Sequence, residues 1–375
     1  MNILICPDKF KGSLHAKEVC NAIARGILQT QPHAKIDLVP LADGGEGTCE
    51  LLTDWFEGHN IEIEVHGPLF RPVKARYGIS KNGDSAFIEM ALASGLMLIN
   101  EHERNPLHTT TLGTGEMILD ALNRKVKKII LGIGGSATND AGIGMATALG
   151  FEFCDAAGQR LKPVGENLIH IRDIKTTAVH AGLNHVAVVA LCDVSNPLFG
   201  PEGAAHIYGP QKGADGPAVD LLDAGLRNFR RVVHKYLKRS VDFPGAGAAG
   251  GLGAGAKVFL NATMEKGVNY IIQNTLLHEK VRNADLIIGG EGKIDNQTFS
   301  GKVLSEVISL ARGAGKPVVA VCGKCELSED ETKSYGLSKV ISLVDAETPV
   351  ESAIHHASAL VTRKVAQEFK YWMKP

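Results

Sequence analysis

Lys127-Lys128-Ile129-Ile130-Leu131-Gly132-Ile133-Gly134-Gly135-Ser136-Ala137-Thr138-Asn139-Asp140 decides how this chain is read. Its apolar run suits a buried strand of a parallel sheet, and it empties into glycines and small hydroxyl residues ahead of a helical pattern. Glycines there let backbone N–H groups approach a ligand, and the N-terminus of the following helix favours negative charge. Gly134, Gly135, Ser136, Thr138 and Asn139 are therefore a candidate cradle for a phosphate or a carboxylate. Two further strand-to-glycine transitions, at 39–47 and 285–292, repeat the arrangement and add acidic residues. Together they point to an enzyme that handles a charged small molecule and a nucleotide.

Working outward, strand-length apolar runs alternate with helix-length patterns, the sequence form of an α/β fold. A strand at 2–6 leads into a helix with Val19, Ile23 and Ile27 on its apolar face; further strand candidates lie at 36–41, 286–288, 318–321 and 340–344. The simplest arrangement is a doubly wound, flavodoxin- or Rossmann-like parallel sheet. Between 61 and 90 the pattern changes: alternating runs joined by Gly67-Pro68 and Asn82-Gly83 suggest antiparallel hairpins. The expected plan is a discontinuous Rossmann-like domain from 1–65, 109–149 and 268–375, with a second α/β domain, 66–108 plus 150–267, inserted into it. The last helix is expected to start at Thr348-Pro349-Val350-Glu351, as a capping box with proline at its first position.

Composition narrows the function. Forty basic side chains against 41 acidic ones leave no charge excess to recruit nucleic acid or an acidic membrane. No apolar run reaches the ~18 residues of a membrane span, and the chain opens on a strand-like segment without a basic–apolar leader, so a soluble, cytoplasmic protein is expected. Forty-two glycines in 375 residues exceed the usual ~7 % and concentrate after strands, which favours ligand loops over disorder. The seven cysteines lack a second ligand pair for Cys322 and Cys325, and read as reduced structural thiols. The 14 histidines are scattered and support no zinc or haem site.

No G-x-x-x-x-G-K-[ST] motif is present, which closes the P-loop route to ATP. Gly245-Ala246-Gly247-Ala248-Ala249-Gly250 matches G-x-G-x-x-G, but Asp242-Phe243-Pro244 before it is not a strand, so a close-packed glycine turn is the stronger reading. Acidic residues at strand ends carry more weight: Asp8, Asp43, Asp193, Glu291 and Asp295 follow apolar runs. In a doubly wound sheet such loops converge on one crevice, where carboxylates can hold Mg²⁺ or take a proton from an alcohol. Lys9, Lys11, Lys212, Lys293 and Lys302 occupy similar loops, with Ser13, Asn196 and Gln297 as neutral donors. From the residues alone, phosphoryl transfer and ligand binding both remain open.

Nine ordered segments then add a resemblance: PDKFKGS (7–13), PLADGGEGT (40–48), IEMALASGL (88–96), TLGTGE (111–116), GIGGSATND (132–140), CDVSNPL (192–198), GPQKGA (209–214), GAGAAGGLGAG (245–255) and GEGKIDNQT (290–298). Taken together they closely resemble the bacterial type-1 glycerate kinase family over nearly the whole chain. Lys9 stands where a serine is common and Ala141 where a glycine is common. The resemblance implies ATP-dependent phosphorylation of D-glycerate with Mg²⁺, on a two-domain α/β fold with an interdomain active site. The 2-hydroxyl is the expected acceptor, with the 3-hydroxyl as the alternative.

Under that reading Asp193 is the expected base or metal-organising carboxylate, Lys11 stabilises the transferred phosphoryl, and Asp8 with Asp43 organises that loop and the substrate hydroxyls. Ser13, Asp43, Lys212, Asn196 and Gln297 are assigned to the substrate, 134–139 to nucleotide phosphates, and Glu291 with Asp295 to the metal. A homodimer is compatible with this. The competing readings are a catalytically silent sugar-acid binder and a nicotinamide-dependent dehydrogenase, for which residues 8–13 lack the dinucleotide motif.

Overall fold

The computed structural model describes residues 1–296, 298–299 and 302–372, without the side chains of 371 and 372. The chain forms two compact α/β units, one of 1–43 with 268–375 and one of 44–267.

The first unit is built on a parallel sheet ordered Lys339–Ser342, Val318–Cys325, Leu286–Ile294, Asn2–Ile5, Lys35–Leu38. Numbered along this unit the order is 2-1-3-4-5, the flavodoxin-like arrangement. The apolar strands are buried, as a sheet with helices on its faces requires: Ile3, Ile5, Ile288, Val319 and Val321 share a core with Val19, Ile23 and Ile27 of helix Ala16–Thr30. That helix lies against Ala357–Trp372 so closely that a Cβ at Gly26 would stand 2.6 Å from Thr362 O. The end of the chain departs from expectation. Pro349 is the N-cap of a short helix, Val350–His355, and no side chain caps it. Thr348 N–H is instead drawn to the Asp345 carboxylate.

The second unit carries six strands ordered Thr263–Glu265, Ala187–Leu191, Lys128–Gly132, Ser85–Glu89, Pro72–Ile79, His59–His66. The first four are mutually parallel, and the last two join through antiparallel pairings. The turns expected at Gly67-Pro68 and Asn82-Gly83 are there: Gly67 N–H reaches Arg71 O, and Gly83 takes a φ of 74°. One expectation needs correcting. Residues 44–65 and 109–149 belong to this unit, because His59–His66 pairs with Pro72–Ile79 and Lys128–Gly132 hydrogen-bonds Ser85–Glu89 on one side and Ala187–Leu191 on the other. A strand buried on both faces has no side-chain alternation to say which parallel sheet it joins.

Candidate functional site

In the first unit the strand order reverses between Asn2–Ile5 and Leu286–Ile294, where loops leaving the carboxyl ends diverge and open a crevice. A pocket of about 390 Å³ lies there. Asp8, Lys11, Ser13, Asp43 and Glu291 line it, joined by Lys9, Lys293, Lys302 and Lys324, while Phe10, Leu343, Val344, Val350 and Ile354 supply apolar surface. Asp8 is 8 % exposed. Burial, and then the Asp43 carboxylate, push its carboxyl up to about 7, although Lys9 and its N–H oppose the rise. Lys9 Nζ stands 3.8 Å from Asp43 Oδ1. Burial also raises Glu291, against the Thr298 hydroxyl and Lys302. Its Oε1 is buried without a hydrogen-bond partner among the described residues.

Other expected members of this pocket are already engaged. Ser13 Oγ donates to Ile354 O at 2.8 Å, and Asp295 pairs with Lys293 Nζ at 3.1 Å. Gln297 lies outside the described residues. Among those described, no group of three His, Cys, Asp or Glu side chains is arranged to hold a metal ion.

The second unit brings a different set together at the carboxyl ends of its parallel strands. Gly132 and Leu191 are register partners, so the loops bearing Gly134–Asn139 and Asp193 leave side by side. Asp193 Oδ1 accepts the Gly267 N–H at 3.1 Å, just past the adjacent strand Thr263–Glu265. Lys212, 2 % exposed, donates to Ser136 Oγ and Thr138 O, each at 2.7 Å. Burial pulls its ammonium down to about 7, opposed by the charge of Asp140. Asn196 is committed to its own loop, giving Nδ2 to Glu202 O and accepting the Tyr208 hydroxyl on Oδ1.

The helix expected to cradle an anion after Asn139 begins only at Ile143, and an internal carboxylate occupies its start. Asp140, fully buried, accepts from Gly142 and Gly144 N–H and from both Thr111 N–H and its hydroxyl. Sequence reasoning missed Asp140, though an aspartate three residues before the helical run was a visible capping signal.

A family model described as the glycerate kinase family matches residues 3–373. The chain belongs to the glycerate kinase family. A glycerate kinase of Bacillus subtilis strain 168 is 41 % identical over 364 residues, 97 % of this chain and 95 % of that one. A glycerate 2-kinase of Escherichia coli K12 is 42 % identical over 358 residues, 95 % and 94 % of the two chains. A crystal structure of a protein provisionally named glycerate kinase 2, from Salmonella typhimurium LT2, superposes with a TM-score of 0.87 at 40 % identity, covering 98 % of this chain and 97 % of that one.

The glycine run of this glycerate kinase family member serves close backbone packing. A Cβ at Gly250 would stand 1.9 Å from Thr138 O, one at Gly255 2.4 Å from Ala141 O, and one at Gly247 2.1 Å from Pro197 O. The run therefore braces both the 138–142 and the 193–197 loops. Ala249, Gly250 and Gly251 turn left-handed to do so.

Proposed function

We propose that this chain transfers the γ-phosphoryl of ATP to the 2-hydroxyl of D-glycerate, giving 2-phosphoglycerate and ADP. The observation that carries the reading is the switch-point pocket of the first unit, which combines aliphatic surface with five lysines and three carboxylates. Aliphatic side chains suit a purine base, lysines suit phosphates, and neither is needed in such number by a three-carbon acid. The nucleotide is therefore assigned to this pocket, a change from the sequence expectation, which gave the phosphates to Gly134–Asn139. Lys11 is assigned to the transferring phosphoryl. The E. coli relative is named a glycerate 2-kinase, which supports the choice of hydroxyl.

Mg²⁺ bound with ATP offsets phosphate charge and typically keeps water and phosphate oxygens, needing only one or two carboxylates. Glu291, with its unpartnered buried oxygen, and Asp295 fit that modest demand. Asp8 and Asp43 add negative charge beside them and organise the 8–13 loop.

The acceptor is assigned to the second unit. Asp193 takes the proton as the hydroxyl oxygen bonds to phosphorus and the bond to the ADP oxygen breaks. Its carboxylate is steadied by the Gly267 N–H, while Lys212 fixes the neighbouring loop. In such a transfer the protein contributes chiefly position and electrostatic stabilisation. The test is ADP release from MgATP with purified protein: rapid release with D-glycerate and little without it is expected. Equal release in both cases would remove the assignment.

A further inference from the structure

Five buried side-chain polar atoms among the described residues lack any hydrogen-bond partner: Arg104 Nε, Thr138 Oγ1, Asn139 Nδ2, Asn139 Oδ1 and Glu291 Oε1. Four of them belong to the second unit, on segments that meet around Lys212-Gly213. Lys212 Nζ holds Ser136 Oγ and Thr138 O, and a Cβ at Gly213 would stand 2.2 Å from Arg104 O. A buried polar atom without a partner costs stability, and native proteins keep few of them, so a cluster needs a reason.

We propose that Arg104, Ser136, Thr138, Asn139 and Lys212 form a chamber for the α-hydroxy-carboxylate end of the acceptor, with Arg104 as a binding residue the sequence gave no reason to single out. This rests on the D-glycerate reading above. The donor set decides the ligand class. A guanidinium, an ammonium with a third hydrogen beyond its two acceptors, a hydroxyl and an amide N–H all suit an oxyanion. Asn139 leaves an acceptor unpaired beside its donor. An ionised phosphate offers only acceptors, whereas an α-hydroxy acid offers carboxylate oxygens for Nδ2 and a hydroxyl hydrogen for Oδ1. Asp140 does not compete for the ligand, because its carboxylate is filled by Thr111, Gly142 and Gly144.

The test uses the full chain and its Asn139→Leu and Arg104→Met variants, melted alone, with D-glycerate, and with MgADP. Leucine removes the unpaired amide at similar volume, so Asn139→Leu is expected to melt at or above wild type without ligand. Both variants should lose the D-glycerate shift and keep the MgADP shift, and the KM for D-glycerate should rise at least about tenfold. An intact D-glycerate shift in both variants would overturn the proposal. So would loss of the MgADP shift with the D-glycerate shift retained, which would assign the chamber to a phosphate. An Asn139→Leu protein that melts below wild type yet still responds to D-glycerate would show the amide satisfied internally, again against the proposal. A wild-type protein that neither binds nor phosphorylates D-glycerate would instead bring down the substrate reading itself, before any variant is compared.

Discussion

Lys212 Nζ donates to Ser136 Oγ and to Thr138 O at 2.7 Å each, so one buried ammonium ties both ends of a three-residue stretch. The stretch follows strand Lys128–Gly132, and its neighbour across the sheet ends two residues before Asp193. A charge buried this deeply is costly unless it is paired and hydrogen-bonded. The nearby Asp140 carboxylate, itself fully engaged, supplies the opposing charge.

Replacing Lys212 with methionine should both lower the melting temperature, since Asp140 loses its opposing charge, and slow turnover. We expect kcat/KM for D-glycerate to fall at least about 100-fold, equivalent to about 2.7 kcal/mol of barrier. Arginine should not restore it, because a larger guanidinium has no room at a 2 % exposed site. Steady-state kinetics on the three proteins checks this.

Asp8 gives a pH prediction. Burial and the Asp43 carboxylate hold its folded carboxyl at about 7, above the ~3.9 of an unfolded aspartate. Between those values the native state holds a proton that the unfolded state has released, so this group's contribution to stability falls as pH rises through the window and is lost above about 7. Asp8→Asn removes the titration. The variant should therefore gain melting temperature over wild type at pH 8 and much less at pH 5, measured without metal or nucleotide. The same variant should lose most phosphoryl transfer.

Asp140→Asn tests the internal anion at the start of helix Ile143–Ala148. The carboxylate accepts four hydrogen bonds from Thr111, Gly142 and Gly144, and an amide would turn an N–H group toward some of those donors. A loss of about 3 kcal/mol is expected, read as a lower denaturation midpoint with an unchanged slope.

Two glycines separate packing from propensity. Gly250 has a φ of 68° and would place a Cβ 1.9 Å from Thr138 O, so Gly250→Ala should displace the 138–142 loop and cost at least about 3 kcal/mol. Gly313, at the end of helix Val303–Gly313, has nothing within 4 Å of such a Cβ. Gly313→Ala should stabilise by about 0.4–1 kcal/mol. Thermal melts of both variants decide the matter.

These residues also show what could be read without a structure. Apolar runs at strand length announced Asn2–Ile5, Lys128–Gly132 and Val318–Cys325, and glycine punctuation announced the hairpins, because both signals are local. Which sheet Lys128–Gly132 joins was hidden, since its partners Phe87 and Val189 are distant in sequence and the strand is apolar on both faces. Asp8, Lys11, Asp43 and Glu291 could be gathered in advance by the rule that strand carboxyl ends converge. Asn196 and Ser13 looked equally available, but their partners, the Tyr208 hydroxyl and Ile354 O, appear only after folding. Arg104 carried no local signal, because only folding sets its backbone carbonyl against Gly213.

The most direct test is a phosphorus NMR time course of the purified protein with D-glycerate and MgATP. The account predicts growth of a 2-phosphoglycerate resonance matched by conversion of ATP to ADP. A 3-phosphoglycerate resonance would contradict the choice of hydroxyl, and ATP left intact by the folded protein would contradict the kinase assignment itself.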